Sequence, residues 1–280
     1  MKTVLAAPER VLDIMHSVAN AEILPRFQKL KDSDISEKKP GDLVTVADHA
    51  SEAAFRKHLP QHLPGSVVVG EEGYEDDHTS LDLLSGSAPV WIVDPVDGTR
   101  NFAHGKQPFT VIVALVHEGV THAGWIIDPL KQDAVWAVKG QGAWHMTQGG
   151  MTKIDRIAKT SDDLTMTAGS KLRERMAKAS EETGRRVPNV VDRYRCAGRE
   201  YMDIAIGTLD LARFGGILKP WDHAAGCLII RELGGVAENI DTGLPYEVST
   251  TLASQSIGIA AEKPHSEAFK VLLKKSDAYF

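Results

Sequence analysis

A run of apolar residues that ends in acid constrains this chain more than any other part of it. Residues 90–93 (Val-Trp-Ile-Val) predict a buried strand, and two carboxylates, Asp94 and Asp97, follow it almost at once. Pro95 is expected to end the strand, and Gly98 allows backbone conformations that other residues resist. Buried carboxylates are costly unless they are paired or bound to a metal. The run therefore predicts cation ligands at a strand end, next to a turn that can hold an anion.

Other elements of the chain also carry acid at one end. They are an apolar stretch ending at Asp48, a β-branched strand that runs into Glu71 and Glu72, and a helical pattern that begins at Asp222. Any one of these acids alone is more often an N-cap or a turn residue. Together they form an oxygen-rich ligand set, which Mg²⁺ prefers while it keeps room for water and phosphate. The set predicts a site for two or three such ions.

In this order and spacing, the motifs resemble those of the inositol monophosphatase family along nearly the whole chain. The matching runs are residues 47–48, 70–72, 94–99 and 221–226. The resemblance implies an α+β or α/β fold, a layered αβαβα sandwich of the inositol monophosphatase and fructose-1,6-bisphosphatase type. It also implies a lithium-sensitive, Mg²⁺-dependent phosphatase that forms a homodimer.

The resemblance assigns metal ligands residue by residue. Glu71, Asp94 and the backbone carbonyl of Val96 would hold the first ion, and Asp94, Asp97 and Asp222 the second. A third, weaker ion would rest largely on Glu71 and water. A carbonyl ligand explains why position 96 needs only an apolar side chain.

Catalytic and phosphate-binding roles follow from the same resemblance. Thr99 and Asp48 would position the attacking water, because a carboxylate can accept a proton through the hydroxyl. Glu71 counts as catalytic through the ion that it holds. Gly98 and Thr99 would offer backbone N–H groups to the phosphate. Glu72 is either an orienting group or a solvated neighbour.

Substrate contacts are less well specified, and the candidates are Ser170, Arg199, Glu200 and Gly215. Gly215 falls where mammalian inositol phosphatases have a glutamate that accepts hydrogen bonds from two inositol hydroxyls. This departure predicts a pocket that is less selective for inositol. The loop lysine of the family falls on Glu37, and a shift of one residue would bring Lys38 into its place.

Composition indicates a globular protein without a membrane or nucleic-acid role. The 280 residues are 42% hydrophobic and 25% charged, with a net charge of −6, which excludes a generally nucleic-acid-binding surface. No signal peptide or transmembrane stretch is expected, so the predicted location is cytoplasmic. The length suits one compact unit of two lobes, residues 1–150 with most metal ligands and residues 151–280 with Asp222. Cys196 and Cys227 are expected to be buried thiols.

Periodicity predicts an opening helix over residues 8–30, bent at Pro25, then a loop over 31–42 and a second helix over 48–59. A series of strands follows over 67–71, 90–94, 110–116, 123–127 and 134–138, with the later ones in antiparallel hairpins. The second half predicts strands at 164–168, 187–191, 209–214 and 254–260. Its helices are expected at 171–183, 200–206, 222–233 and 265–275.

Several functions fit these residues. The leading hypothesis is a Mg²⁺-dependent phosphomonoesterase that hydrolyses a small polyol or sugar phosphate, which Asn101 and Phe102 after the central motif favour. Histidinol-phosphate phosphatase and nucleotide 3′-phosphatase activities are alternatives within the same superfamily, and Glu200 would pair with an amine-bearing substrate. A regulatory, RNA-polymerase-binding protein that retains the fold is a third hypothesis, which the intact carboxylate set disfavours.

Overall fold

The computed structural model describes residues 1, 4–5, 7–155 and 163–277. The strands in these ranges are β1 (Ile35–Lys39), β2 (Asp42–Thr45), β3 (Val67–Gly70), β4 (Val90–Asp97), β5 (Thr110–His117), β6 (Val120–Asp128), β7 (Asp133–Val138), β8 (Gly142–Thr147), β9 (Gly150–Lys153), β10 (Thr165–Thr167), β11 (Asn189–Val191), β12 (Leu211–Ile217), β13 (Val236–Asn239) and β14 (Ser254–Ala260).

The helices are α1 (Glu9–Val18), α2 (Val46–His62), α3 (Glu71–Asp76), α4 (Thr99–Ala103), α5 (Ser170–Thr183), α6 (Ala197–Ala205), α7 (Pro220–Glu232) and α8 (Lys263–Asp277). A π-helical turn, Ala19–Ile23, continues α1, and 3-10 turns occupy Asp32–Asp34 and His78–Ser85. No helix among the described residues is both long and apolar enough to cross a bilayer.

Two sheets organise the molecule. A seven-stranded sheet runs in the order β3-β4-β5-β6-β7-β8-β9, and a five-stranded sheet in the order β11-β10-β12-β14-β13. Strands β3 and β4 are parallel, whereas β4 to β9 pair antiparallel with their sequence neighbours, which confirms the predicted hairpins. Strands β1 and β2 form a separate antiparallel hairpin. The ends of β3 and β4 therefore lie side by side and point the same way.

Helices alternate with these sheets in layers. Helices α1 and α2 pack on one face of the seven-stranded sheet, α6 and α7 lie between the two sheets, and α5 and α8 pack together with α8 on the five-stranded sheet. This arrangement confirms the predicted αβαβα sandwich. One apolar cluster joins strands of both sheets through α7, so the two halves share a core.

Helix α7 approaches strand β6 unusually closely. A Cβ at Gly124 would lie 2.6 Å from the Cα of Ala225, so no larger residue fits on the strand without displacing the helix. Interiors packed at crystal-like density transmit such a displacement to their neighbours. Because Asp222 lies at the first turn of the same helix, this contact also fixes its distance from the seven-stranded sheet.

Some predicted boundaries were wrong for identifiable reasons. The opening helix ends well before residue 30, because Pro25 has no N–H to donate and Gln28 adopts a φ of 59°. Residues 31–42 contain β1, whose polar, largely exposed side chains give no apolar alternation. Strand β4 does not stop at Pro95 but continues to Asp97 with an irregular register, a setting that tolerates proline. Strands β8, β9 and β13 were also missed.

Candidate active site

The parallel pair β3 and β4 delivers two carboxylates to one place, and α7 delivers a third. Glu71 begins α3 directly after β3, Asp94 lies in β4, and Asp222 lies in the first turn of α7. Each offers an oxygen that lies within 4.8 Å of the others. Three oxygen donors at this spacing, with no nitrogen or sulfur among them, suit a hard cation such as Mg²⁺.

Burial makes ionisation of these carboxylates unfavourable unless a cation is bound. Burial, followed by the neighbouring carboxylates, raises the pKa of Asp94 well above its ordinary value. For Asp222 burial and then Glu71 raise the pKa to about 8. Like charges held close in a dry site disfavour ionisation, and a bound cation reverses that preference. The donor set and its electrostatics therefore fit a metal ion.

Two lysines partly neutralise the cluster from the side of Glu71. The Nζ of Lys219 donates to Glu71 Oε1 at 2.8 Å, and the Nζ of Lys38 donates to Glu71 Oε1 at 3.3 Å and to Glu72 Oε1 at 2.8 Å. Burial alone would raise the pKa of Glu71, but these ammonium groups outweigh it and the net shift is downward. Lys38, and not Glu37, therefore contacts the two glutamates, and its match to the loop lysine of the family stays a prediction. Glu72 is buried rather than solvated.

A hydroxyl and a carboxylate adjoin the cluster. Thr99 Oγ1 lies 3.2 Å from Asp48 Oδ1 and 2.9 Å from the Val96 carbonyl oxygen, so its single proton can be donated to either. The other oxygen of Asp48 accepts from the N–H and hydroxyl of Thr45, which closes a capping box at the start of α2. Burial raises the pKa of Asp48 to about 7. This carboxylate is fixed in position and suited to accept a proton near neutral pH.

Asp97 lies at the edge of the cluster rather than within it. Its oxygens accept hydrogen bonds from the N–H groups of Ala197 and Gly198, at 3.1 and 2.7 Å, and from the Thr110 hydroxyl at 2.9 Å. It therefore caps the start of α6. Gly98, next in the chain, has a φ of 90°, where a glycine is favoured, and it turns the backbone so that α4 can begin at Thr99.

The residues proposed for substrate binding separate into two groups. A cavity of about 220 Å³ contains Asp97, Asp222, Glu200 and Gly215 in its lining, so it joins the metal cluster to two of the candidates. Burial raises the pKa of Glu200 to about 7. Ser170 lines a second, larger cavity of about 930 Å³, which Gly215 also lines.

Arg199 belongs to a buried ion-pair network. Its guanidinium donates to Asp133 at 2.9 Å and to Asp203 one helical turn away, and it lies 3.6 Å from Asp128. His145 contacts the same Asp133 at 2.5 Å. The N–H groups of Arg199 therefore already bind carboxylates of the protein and are not available to a substrate hydroxyl. Arg199 also lines neither cavity.

Sequence reasoning missed several residues that shape the site. Lys219 lies beside the tryptophan-aspartate motif but carries no motif signal of its own. Glu52 accepts hydrogen bonds from the N–H groups of Glu72 and Gly73, both at 2.8 Å, and so holds the start of α3. Its position one helical turn after Asp48 on α2 was the available signal.

Comparisons with known proteins agree with this geometry. The model of the inositol monophosphatase family matches residues 9–278. Inositol monophosphatase 1 of Solanum lycopersicum is 32% identical over 243 residues, which cover 84% of each chain. The Nus factor SuhB of Escherichia coli strain K12 is 29% identical and covers 79% of this chain and 80% of its own.

A solved structure supports the fold independently. Inositol monophosphatase II of Staphylococcus aureus superposes with a TM-score of 0.74 over 98% of this chain and 96% of its own, at 22% identity. At that identity the likeness concerns the fold alone. The family model and the tomato relative cover the part of the chain that carries Glu71, Asp94 and Asp222. The chain therefore belongs to the inositol monophosphatase family, a family of phosphoric monoester hydrolases.

Proposed function

We propose that this enzyme is a Mg²⁺-dependent phosphatase that hydrolyses a small polyol or sugar phosphate. The observation that carries the proposal is the convergence of Glu71, Asp94 and Asp222 within 4.8 Å of one another. The paired Thr99 and Asp48 support it, because the threonine hydroxyl lies between that carboxylate and the Val96 carbonyl.

Glu71, Asp94, Asp222, Asp97 and the Val96 carbonyl are the proposed ligands for two or three Mg²⁺ ions. Bound Mg²⁺ supplies charge neutralisation of phosphate oxygens, a more acidic water and stabilisation of the leaving alkoxide. To bind an ion, Asp97 would give up hydrogen bonds that it accepts from the N–H groups of Ala197 and Gly198 at the start of α6.

The remaining chemistry belongs to the chain's own groups. Thr99 would accept a hydrogen bond from the attacking water and pass its own proton towards Asp48. The pKa of Asp48, raised to about 7 by burial, suits it to hold that proton near neutral pH. The backbone N–H groups of Gly98 and Thr99 are proposed to bind the phosphate. Glu71 acts through the ion that it holds.

The panel assay that tests this proposal measures phosphate release with Mg²⁺ from inositol 1-phosphate, a hexitol phosphate, fructose 1,6-bisphosphate, adenosine 3′-phosphate and histidinol phosphate. We expect hydrolysis of polyol phosphates, with kcat/KM for inositol 1-phosphate not exceeding that of the best alternative by more than about tenfold, because Gly215 offers no side-chain acceptor to the ring hydroxyls. A preference of several hundredfold for histidinol phosphate or the nucleotide would support the corresponding alternative. Absence of all hydrolysis would exclude the proposed activity.

Lithium sensitivity is a further expectation. Li⁺ in the site of Asp94, Asp97 and Asp222 would bring one positive charge where Mg²⁺ brings two. We expect this charge to be too small to support release of the phosphate product. Millimolar Li⁺ should therefore inhibit uncompetitively with respect to substrate, whereas the same concentration of Na⁺ should not. Steady-state kinetics at several substrate concentrations measure this, and insensitivity at tens of millimolar would count against a metal site built from these three residues.

A second role is suggested by one relative. The Escherichia coli relative is named a factor rather than a phosphatase, Nus factor SuhB, so the regulatory, RNA-polymerase-binding role considered from the sequence is the second candidate. Co-purification of RNA polymerase with the tagged protein tests it, with the Asp94→Asn variant as a catalysis-deficient control. The homodimer and the cytoplasmic location also remain predictions, which sedimentation and cell fractionation address.

A further inference from the structure

A large basic cavity adjoins the metal site. It has a volume of about 930 Å³, and it shares Arg193, Arg195 and Gly215 with the smaller cavity that contains Asp97 and Asp222. Its basic lining side chains are Arg100, Lys171, Arg175, Arg193, Arg195 and Arg213. In a chain with a net charge of −6, this concentration of positive charge on one wall is unusual.

Carboxylates are few among the described residues that line the larger cavity. Asp192 is the one carboxylate among the described lining residues of the larger cavity, and its side chain is 99% exposed and accepts from Arg173 at 2.6 Å. Arg193 also interacts with the buried Glu200 across the shared edge. A cavity with this balance attracts anions and repels cations.

Gly215 gives the basic wall access to the space beside the metal cluster. A Cβ at this position would lie 2.8 Å from Nη1 of Arg213, so the guanidinium lies directly over the glycine. At this edge of the metal cluster the chain therefore offers a cation and no carboxylate side chain at position 215. The N-terminus of α5 opens into the same cavity at Gly169 and Ser170, and no described side chain caps it, so its partial positive charge adds to the arginines.

We infer that the preferred substrate carries a second anionic group, a carboxylate or a further phosphate, on the alcohol side of the ester. The scissile phosphate would lie at the carboxylate cluster, and the second anion would lie in the basic cavity, held by Arg193, Arg195 and Arg213. The inference rests on the proposed phosphatase function and narrows its substrate class. It disfavours an amine-bearing substrate such as histidinol phosphate.

Three matched substrates test the inference. Glucitol 6-phosphate has a neutral hydroxymethyl group at its far end, gluconate 6-phosphate has a carboxylate there, and glucitol 1,6-bisphosphate has a phosphate. We expect kcat/KM to be roughly 10- to 100-fold higher for at least one anionic substrate than for glucitol 6-phosphate, the range that a hydrogen-bonded charge provides. The better of the two identifies the anion. The preference should fall as ionic strength rises.

A pair of variants localises the effect. Arg193→Gln with Arg195→Gln removes two charges from the edge shared by the cavities and should lower kcat/KM for the favoured anionic substrate about tenfold or more, mostly through KM. Hydrolysis of glucitol 6-phosphate should fall by a much smaller factor, so that the preference for the anionic substrate shrinks. Arg185→Gln with Arg186→Gln removes two exposed charges from the same lobe, outside both cavities, and should leave the preference intact.

The outcomes separate this inference from the proposed function. Equal kcat/KM for the three substrates, or an anionic preference that survives loss of Arg193 and Arg195, would overturn the inference and leave the phosphatase assignment in place. If Mg²⁺ supports hydrolysis of none of them, the assignment fails. Titration calorimetry with the same three compounds then decides the inference, since equal affinities overturn it and tighter binding of an anionic compound, lost in the double arginine variant, supports it.

Discussion

Asp94 contributes in opposite directions to stability and to chemistry. Its pKa is raised well above the ordinary value, first by burial and then by Glu71, Asp97 and Asp222. At neutral pH the metal-free protein therefore bears the cost of crowded carboxylates, which a cation would relieve. This cost is what we expect of a residue that serves as a metal ligand rather than as a support of the fold.

Asp94→Asn should therefore stabilise the metal-free protein while it nearly abolishes turnover. The loss of one ligand charge should raise the barrier by ~3–4 kcal/mol, or ~10²–10³-fold in kcat. Thermal unfolding in chelator and steady-state kinetics in Mg²⁺ measure the two effects. Asp76→Asn, at an exposed position of α3, is the control. A wild-type kcat in the Asp94→Asn enzyme would refute the ligand assignment.

Glu200 makes stability depend on pH. Its side chain is 3% exposed, and burial raises its pKa from an ordinary value near 4.5 to about 7. The folded state thus favours the protonated form. This contribution is complete below pH 4.5 and is lost as pH rises through about 7.

Relative to Glu200→Gln, the wild-type protein should lose about 3 kcal/mol of unfolding free energy between pH 4.5 and 8, from the size of the shift. Urea unfolding of both proteins at several pH values measures the difference, in which the other titrating groups cancel. A difference that stays constant with pH would show that Glu200 ionises normally in the folded protein.

At the scale of elements, the start of α3 depends on its neighbour α2. Glu52 of α2 accepts from the N–H groups of Glu72 and Gly73 and pairs with Arg56 at 2.8 Å. A Cβ at Gly70 would also fall within 2.2 Å of the Glu52 carboxyl group. The direction in which Glu71 leaves β3 is therefore set by a side chain of another element.

Glu52→Ala should leave one buried and one partly buried backbone N–H, those of Glu72 and Gly73, without their acceptor and cost about 1–3 kcal/mol of stability. It should also weaken Mg²⁺ binding, because Glu71 loses its support, while kcat at saturating Mg²⁺ falls less. Denaturant unfolding and Mg²⁺ titration of activity measure these effects. Glu174→Ala, at an exposed position of α5, should change neither. Unaltered Mg²⁺ affinity would show that α3 is held without Glu52.

Strands and helices with periodic apolar residues could be predicted from the sequence, whereas elements made mostly of polar residues could not. The sequence indicated β4, α7 and the acids at their ends because burial patterns and motifs coincide there. It missed β1, which is mostly exposed and is held by pairing with β2. The basic cavity was also unpredictable, since Arg100, Arg193 and Arg213 come from separate parts of the chain and only the fold brings them to one wall.

At the scale of the whole molecule, the site lies where the layers meet. Glu71 and Asp94 come from the seven-stranded sheet side, and Asp222 comes from α7 between the sheets. The contact of Gly124 with Ala225 sets the distance between that helix and the seven-stranded sheet. The order of the motifs could not predict this distance, because the distance depends on packing between segments that are far apart in sequence.

The burial of both cysteines makes them chemical reporters of two different opening motions. Cys196 lies beside Asp97 at the start of α6, at 2% exposure, and Cys227 lies within α7, at 0%. Burial raises the pKa of both thiols, that of Cys227 to about 12, and thiols react as thiolates. Alkylation should therefore require local or global opening. We expect Cys196 to be labelled faster than Cys227, since loosening of one helix end exposes it, whereas Cys227 needs the layers to separate. Peptide mass spectrometry over a time course gives both rates, and equal rates would mean that the site opens only when the whole molecule unfolds.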